Sequence, residues 1–527
     1  MSTTVEPSQL VEEAVVQSRR GRFGVGRRRV ASAIIPTRPG PRGWLGRGRG
    51  EDVLVDAPDE YRGTTVQVCG LWPWVVGSGT PMIGVPFGRH ITSGATLCCD
   101  PISWFQRANL IGNPSVFFLG RPGLGKTSAV MRMAVGLAGY GVIPLVLGDT
   151  RPDYIEMVRQ LGGQVIPIGR NRGSLNVLDP GEAPDAARRL REAGYHKEAE
   201  EVLGDVHGLR LNMLSSLITV LRKSPPTLRE ETILARALTW LDEHHQGVPV
   251  IPDLLGVVRA APAALREAAL DRGDDARYQD VTEDLEASLF ALCPGGKFGD
   301  VFANQTTEPM RRDRAVVYDV SAIPQSEGDL RAVALLASWT AGFSVVSIAQ
   351  TLADAELEPR RHYFAILDEL HQALKAGPGL VDRVDYLTRL NRTVGVGLAM
   401  ITHTLKDLRA LPFEEDRQKA MGFIERSGMV VCGGLPLAEM SQLSAVIPLS
   451  AAEQALLAGW QDPPAWDPKT GREAPPPGRG KFLVKVGGRP GIPVDVTLTE
   501  AEKALSMSSR RWRQQSRVGL LDPGSPA

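Results

Sequence analysis

The run Gly120-Arg121-Pro122-Gly123-Leu124-Gly125-Lys126-Thr127 completes the pattern G-x-x-x-x-G-K-[ST], which constrains the fold more tightly than any other stretch of the chain. Its glycines let backbone N–H groups turn inward around phosphate oxygens, and a helix beginning at the lysine adds favourable dipole charge. Such a loop works only between a strand and a helix. Val116-Phe117-Phe118-Leu119 supplies the short buried strand, and Thr127 to Leu137 follows with helical apolar spacing. Residues Gly120 to Thr127, with Ser128 behind them, therefore read as a phosphate cradle. In it Lys126 reaches the β- and γ-phosphates of a nucleotide and the Thr127 hydroxyl ligates Mg²⁺.

A chain of 527 residues is long enough for about three to four average domains, or for one large α/β domain with insertions. Lysine plus arginine balances aspartate plus glutamate at 60 each, so net charge argues neither for nor against nucleic acid. The distribution is more informative. Residues 1–50 carry Arg19, Arg20, Arg22, Arg27, Arg28, Arg29, Arg47 and Arg49 among glycines, the composition of a disordered tail. Such a tail meets anionic lipid, nucleic acid or nothing. Five cysteines without metal-ligand spacing fit a reduced cytosolic compartment, and Cys98-Cys99 reads as a packed strand residue beside a half-exposed one. The polar, acidic opening is not that of a signal peptide. Ala332 to Leu352 is uncharged but carries Ser338, Thr340, Gly342, Ser344, Ser347 and Gln350, so it reads as a crossover helix buried against a sheet rather than a membrane span.

Along the chain, residues 51–110 read as a small β-rich region and residues 111–182 as the first part of a nucleotide-binding core. That part holds strands at 142–147 and 164–168 and a helix over 153–161. Residues 183–300 turn helical, with charged faces alternating with Leu, Ala and Val stripes, and read as an all-α insertion. Strand signals return over 301–500 at 315–320, 363–367, 394–401 and 429–432, and end in a hairpin at 481–486 and 493–496. Residues 501–527 form a basic tail. Strand–helix alternation of this kind implies an α/β fold with a mostly parallel sheet covered on both faces.

Phe364-Ala365-Ile366-Leu367 runs directly into Asp368-Glu369. A buried strand ending there delivers Asp368 beside the phosphate loop to hold Mg²⁺, while Glu369 polarises an attacking water. Such a pair points to ATP hydrolysis. Asp368-Glu369-Leu370-His371 also spells a helicase-like box, discounted because no other helicase signature accompanies it. His244-His245 have no ligand-spaced partner and read as exposed, and the sequence carries no zinc pattern or nucleophile triad.

In order and content these segments resemble the peripheral ATPases of conjugative DNA transfer and type IV secretion, RecA-like P-loop motors of the FtsK–HerA superfamily. The resemblance covers roughly residues 84–498. It rests on Pro86-Phe87-Gly88 through Asp100-Pro101 and the phosphate loop, then on Gly148-Asp149, Asp153-Tyr154, Leu161-Gly162-Gly163 and Leu175-Asn176-Val177-Leu178-Asp179-Pro180. Lys297-Phe298-Gly299, Tyr318-Asp319-Val320-Ser321 and the acidic strand end follow in the same order. It implies a RecA-like P-loop NTPase with ATP and Mg²⁺ as cofactors, and a homo-hexamer working with components of a conjugation or secretion machine at the inner membrane face. Location would be cytoplasmic, free or peripheral at the membrane, with no integral membrane segment and with DNA as an open partner. It further implies that His403 or Thr404 senses the γ-phosphate and that Arg392 reaches a neighbour's site, with Arg389 and Arg426 as the other arginines considered. Two departures stand out: the family places glutamine where this chain has His403, and most of the family's large N-terminal domain has no counterpart here, as in short versions from actinobacterial mobile elements. A soluble DNA translocase and a nucleotide-gated scaffold are the competing expectations.

Overall fold

Every residue of Ser115–Leu119 is buried, and its side chains divide between two cores. Phe117 and Leu119 enter one, while Val116 and Phe118 enter the other. Alternate side chains of a strand point to opposite faces, so an all-apolar strand needs cover on both. The strand Tyr363–Leu367 repeats the pattern, with Tyr363, Ala365 and Leu367 on the first face and Phe364 and Ile366 on the second. Burying one such Leu or Phe side chain contributes about 1.5–3 kcal/mol, which is why these segments sit at the centre of the sheet.

The computed structural model describes residues 80–375, 377, 380–389, 395–411, 413–463, 466–467, 472–473 and 476–505. The strands are β1 (Pro86–His90), β2 (Thr96–Cys98), β3 (Ser115–Leu119), β4 (Ile143–Asp149), β5 (Gln164–Pro167), β6 (Val316–Asp319) and β7 (Tyr363–Leu367). They continue with β8 (Val396–Ile401), β9 (Met429–Cys432), the two-residue pair β10 (Trp466–Asp467) and β11 (Arg472–Glu473), then β12 (Lys481–Lys485) and β13 (Ile492–Asp495). Eleven strands form one sheet in the order β2-β1-β13-β12-β9-β3-β8-β7-β4-β6-β5. From β9 to β5 every pairing is parallel. From β9 outward to β2 every pairing is antiparallel.

Two consequences of this order place the site. The strand carrying the phosphate loop, β3, is separated from the acid-bearing β7 by a single strand, β8. Because β3, β8, β7 and β4 are parallel, their C-terminal ends open on the same edge, where an α/β sheet binds its ligand. The β12–β13 hairpin, expected from sequence as a terminal hairpin, extends the sheet beyond β9 and joins it to β1 and β2. Of the region read as β-rich, β1 and β2 form the antiparallel margin of the same sheet, and the helix Pro101–Gln106 follows them.

All regular structure between β5 and β6 is helical: Ala183–Glu192, His196–Arg222, Leu228–His244, Ile251–Ala260, Ala263–Ala269, Asp275–Ala291 and Gly299–Phe302. Leu228–His244 shows how locally these helices are specified. Its N-cap Thr227 exchanges hydrogen bonds with Glu230, the Thr227 N–H donating to Glu230 Oε2 at 2.7 Å. The helix Gly328–Asp354 crosses over from β6 to β7. Among the described residues it is the one helix long and apolar enough to cross a membrane, yet 72% of its apolar window is buried inside the protein. Ser338 Oγ donates to the Leu147 carbonyl at 2.8 Å, and a Cβ at Gly342 would stand 2.4 Å from Leu147 Cδ2. Close approach to β4 explains Ser338 and Gly342.

Some sequence expectations need correction. Neither member of the Cys98-Cys99 pair is half-exposed: both are buried, and the Cys98 N–H donates to the Pro81 carbonyl beside β2. His244 is exposed as expected, though its ring stacks on Trp240 at 4.5 Å, and His245 is half-buried. The expectations for residues 1–79 and 506–527, including the arginine-rich tail and the basic terminus, lie outside the described residues.

Candidate active site

The phosphate loop begins where β3 ends. Gly120, Gly123 and Gly125 all adopt positive φ, at 152°, 83° and 95°. At Gly120 a Cβ would also meet Gly433 Cα at 3.1 Å, since the loop lies against the Gly433-Gly434 turn after β9. The Arg121 N–H donates to the Gly434 carbonyl at 3.1 Å, and the Gly120 N–H to the His403 carbonyl at 3.0 Å. The helix Lys126–Gly139 then starts with Gly125 as its cap, no side-chain capping bond and no acid in its first turn. Its leading N–H groups face outward as an anion seat. Arg121, Pro122 and Gly123 are exposed, Leu124 is buried under the loop, and Gly125, Thr127 and Ser128 are half-buried.

The structure brings Lys126, Asp368, Glu369 and His403 together at this edge. Lys126 is buried, and its ammonium donates to the carbonyls of Gly120 and Arg121. It also stands 3.1 Å from His403 Nδ1. The other ring nitrogen of His403, Nε2, lies 3.2 Å from Glu369 Oε1. An ammonium can only donate, so Nδ1 accepts and Nε2 carries the proton that it gives to Glu369. His403 thus links the phosphate-loop lysine to the carboxylate through one defined tautomer. Thr404, the alternative sensor, is engaged elsewhere: its hydroxyl donates to Asp407 Oδ2 at 3.0 Å.

Glu369 sits in the left-handed region at φ 53°, an uncommon conformation for a residue with a Cβ. The kink lets two adjacent acids diverge. Asp368 accepts the Glu369 N–H at 2.8 Å and the Tyr154 hydroxyl at 3.1 Å. Glu369 turns toward His403 instead, and its Oε2 lies 3.5 Å from His371 Nδ1. That oxygen is buried without a hydrogen-bond partner among the described residues. Arg151 approaches Oε1 from the end of β4 at 4.0 Å.

Environment separates the acids. Burial pushes the Asp368 carboxyl up to about 6, and the neighbouring Glu369 charge adds to it. Burial would raise Glu369 as well, but the hydrogen bond that His403 donates, with the positive Arg151 guanidinium beside it, holds it at about 2. Burial lowers the Lys126 ammonium to about 8 against the pull of both acids. Burial also lowers His371, against the charge of Glu369. At neutral pH Glu369 is a fixed anion, whereas Asp368 is a buried carboxylate held close to its titration point. A divalent cation fits such a carboxylate, because its charge replaces the proton that burial favours. Thr127 and Asp368 are hard oxygen donors of the kind Mg²⁺ takes.

Arg392 lies outside the described residues, as does the side chain of Arg389. Arg426 pairs with Asp385 and precedes β9, so it stands at the edge of the sheet opposite the phosphate loop. Sequence reading missed Tyr154, Arg151 and His371 as members of the site. Only His371 had a local signal, its place two residues after Glu369.

Fold and site together define a RecA-like P-loop NTPase architecture. The fold is shared with the solved structure of VirB4 from Thermoanaerobacter pseudethanolicus, at TM-score 0.56 and 18% identity over 81% of this chain and 100% of that one. A looser likeness, at TM-score 0.46 and 12% identity, covers 80% of this chain and 97% of plasmid coupling protein TrwB in complex with ADP and Mg²⁺. No protein-family model and no curated protein matches the sequence.

Proposed function

We propose that this chain is an ATP-hydrolysing motor that powers conjugative DNA transfer or type IV secretion. The observation that carries the reading is the convergence of Lys126, His403 and Glu369 in one line of contacts at the mouth of the phosphate loop. Fold likeness along the whole of the VirB4 chain supports the choice of machine. In this reading the loop N–H groups, Lys126 and Ser128 bind the phosphates of ATP, and Thr127 and Asp368 hold Mg²⁺. When bound, Mg²⁺ neutralises charge on the β- and γ-phosphate oxygens. Glu369, fixed as an anion, orients the attacking water and accepts its hydrogen bond. Water oxygen then bonds to the γ-phosphorus as the bond from that phosphorus to the β–γ bridging oxygen breaks, giving ADP, phosphate and a released proton. His403 reports the event: Lys126 leaves Nδ1 when it turns to phosphate, which changes what His403 offers to Glu369.

The proposal extends to a homo-hexamer in which Arg392 reaches the neighbouring site, in a cytoplasmic complex at the membrane face with components of the transfer machine. Its test is Glu369→Gln, which keeps the size of the side chain and removes its charge. Nucleotide should bind within a few-fold of wild type while turnover falls by about two orders of magnitude or more. Normal turnover in this variant contradicts the assignment. Adding single- or double-stranded DNA decides the machine: salt-sensitive stimulation of hydrolysis assigns a DNA translocase, and indifference to DNA favours a secretion-channel motor.

A further inference from the structure

The turn that follows β4 is tied to itself and to the acid strand. Asp149 Oδ2 accepts the Tyr154 N–H at 2.8 Å, the Asp153 N–H donates to the Arg151 carbonyl, and the Tyr154 hydroxyl holds Asp368 at 3.1 Å. Arg151 stands at the apex of this turn. Its Nη2 lies 4.0 Å from Glu369 Oε1, the oxygen that also faces His403 Nε2 at 3.2 Å. His403 in turn contacts Lys126. Arg151, Glu369, His403 and Lys126 are therefore consecutive members of one cluster, with the guanidinium on the side nearest solvent. Its side chain is 59% exposed, against 8% for Glu369. It can turn without disturbing the core.

Two other arginines at this edge are committed elsewhere. Arg331 is buried in the first turn of the Gly328–Asp354 helix, where it donates to the Ile323 carbonyl at 2.5 Å. Arg172 faces Asp319 at 3.7 Å. Arg151 faces only the carboxylate that the proposed reaction uses, at a separation looser than a bidentate pair. A 4.0 Å pair with its cation largely in solvent contributes little to stability. A guanidinium placed beside a transferring phosphoryl group is another matter, since an arginine supplied in cis or in trans changes hydrolysis by about a thousandfold or more.

We infer that Arg151 is a cis arginine of this site, resting against Glu369 and turning onto the γ-phosphate held by the phosphate loop of its own chain. The inference rests on the ATPase reading and adds to it. The full chain would then carry one stabilising cation from its own β4 turn, in addition to any arginine that a neighbouring subunit provides.

The experiment compares wild type, Arg151→Ala, Arg151→Lys and Lys126→Ala as full chains. It measures steady-state ATP hydrolysis, binding of a fluorescent methylanthraniloyl-ATP, and the melting temperature. Arg151→Ala should lose about a hundredfold or more in kcat, with analogue affinity within about threefold of wild type and an unchanged melting temperature; Arg151→Lys should recover part of the rate. Mixing Arg151→Ala with Lys126→Ala subunits should restore nothing, because no chain in the mixture then holds both residues. Turnover of Arg151→Ala within twofold of wild type overturns the inference and leaves Arg151 a surface ion pair. Recovery of activity on mixing overturns it by showing action in trans. A wild type without Lys126-dependent hydrolysis removes the ATPase reading and this inference with it, a result visible before any Arg151 variant is assayed.

Discussion

Asp368→Asn should make the protein more stable while abolishing Mg²⁺-dependent turnover. Burial and the Glu369 charge raise the Asp368 carboxyl to about 6 in the folded protein, against an ordinary value of 3.8. A folded-state value above the unfolded one means that the native state binds the proton more tightly. Its stabilising contribution is complete below 3.8 and is lost as pH rises through 6. At pH 8 the wild type bears the whole penalty of a buried anion. A difference of about two units corresponds to roughly 3 kcal/mol at most. Asn carries no charge; its oxygen can keep the Glu369 N–H while its amide N–H donates to the Tyr154 hydroxyl oxygen, so it should regain about 1–3 kcal/mol of this. Denaturant titrations of wild type and variant at pH 8, 6 and 4.5 measure it. The advantage of the variant should be greatest at pH 8, slightly smaller at pH 6 and down to about a third of its full size at pH 4.5. A variant no more stable than wild type at pH 8, or one whose advantage is independent of pH, would refute the reasoning.

Further predictions follow from other contacts. Tyr154→Phe removes the hydroxyl that donates to Asp368 at 3.1 Å; a hydrogen bond to a buried carboxylate contributes about 1.5–3 kcal/mol. The variant should therefore need more Mg²⁺ for half-maximal turnover and shift the alkaline-favoured limb of the rate profile upward, and an unchanged Mg²⁺ titration would show that the contact is idle. Burial lowers Lys126 to about 8, so nucleotide affinity should weaken as pH rises above 8 and proton uptake should accompany binding there, measurable by calorimetry in buffers of different ionisation heat. Arg392→Ala mixed with Lys126→Ala should regain part of the wild-type rate if Arg392 acts across a subunit boundary; no regain would remove it as the trans arginine. His403→Ala should lower kcat about tenfold or more with little change in analogue binding, because it breaks the link from Lys126 to Glu369; an equal loss in affinity would make His403 a simple phosphate ligand.

The sequence carried the parts of this site that are local. A phosphate loop is eight consecutive residues with a strand before and a helix after, so Gly120 to Thr127 could be read without knowing any partner. Asp368-Glu369 was legible because four buried apolar residues lead into it. What could not be read is what the sheet order creates. Tyr154 and Arg151 lie more than 200 residues from Asp368 and Glu369, and they meet them only because β4 pairs with β7 in parallel. The same order decides between His403 and Thr404: β8 ends between β3 and β7, which points His403 at both, while Thr404 is used to cap the helix Leu405–Arg409 through Asp407. The left-handed backbone at Glu369 has no sequence signature, since glycine is the residue that usually marks it. The Cys98-Cys99 pair was misread for a similar reason: strand alternation assigns one of two neighbours to solvent, whereas both are buried here.

Steady-state ATP hydrolysis by the purified full chain, set beside Lys126→Ala under identical Mg²⁺ and salt, tests the central claim most directly. The account predicts measurable Mg²⁺-dependent release of phosphate by wild type and none above background in Lys126→Ala. Hydrolysis that persists in Lys126→Ala, or wild type that binds ATP tightly but releases no phosphate either alone or with DNA, would contradict it.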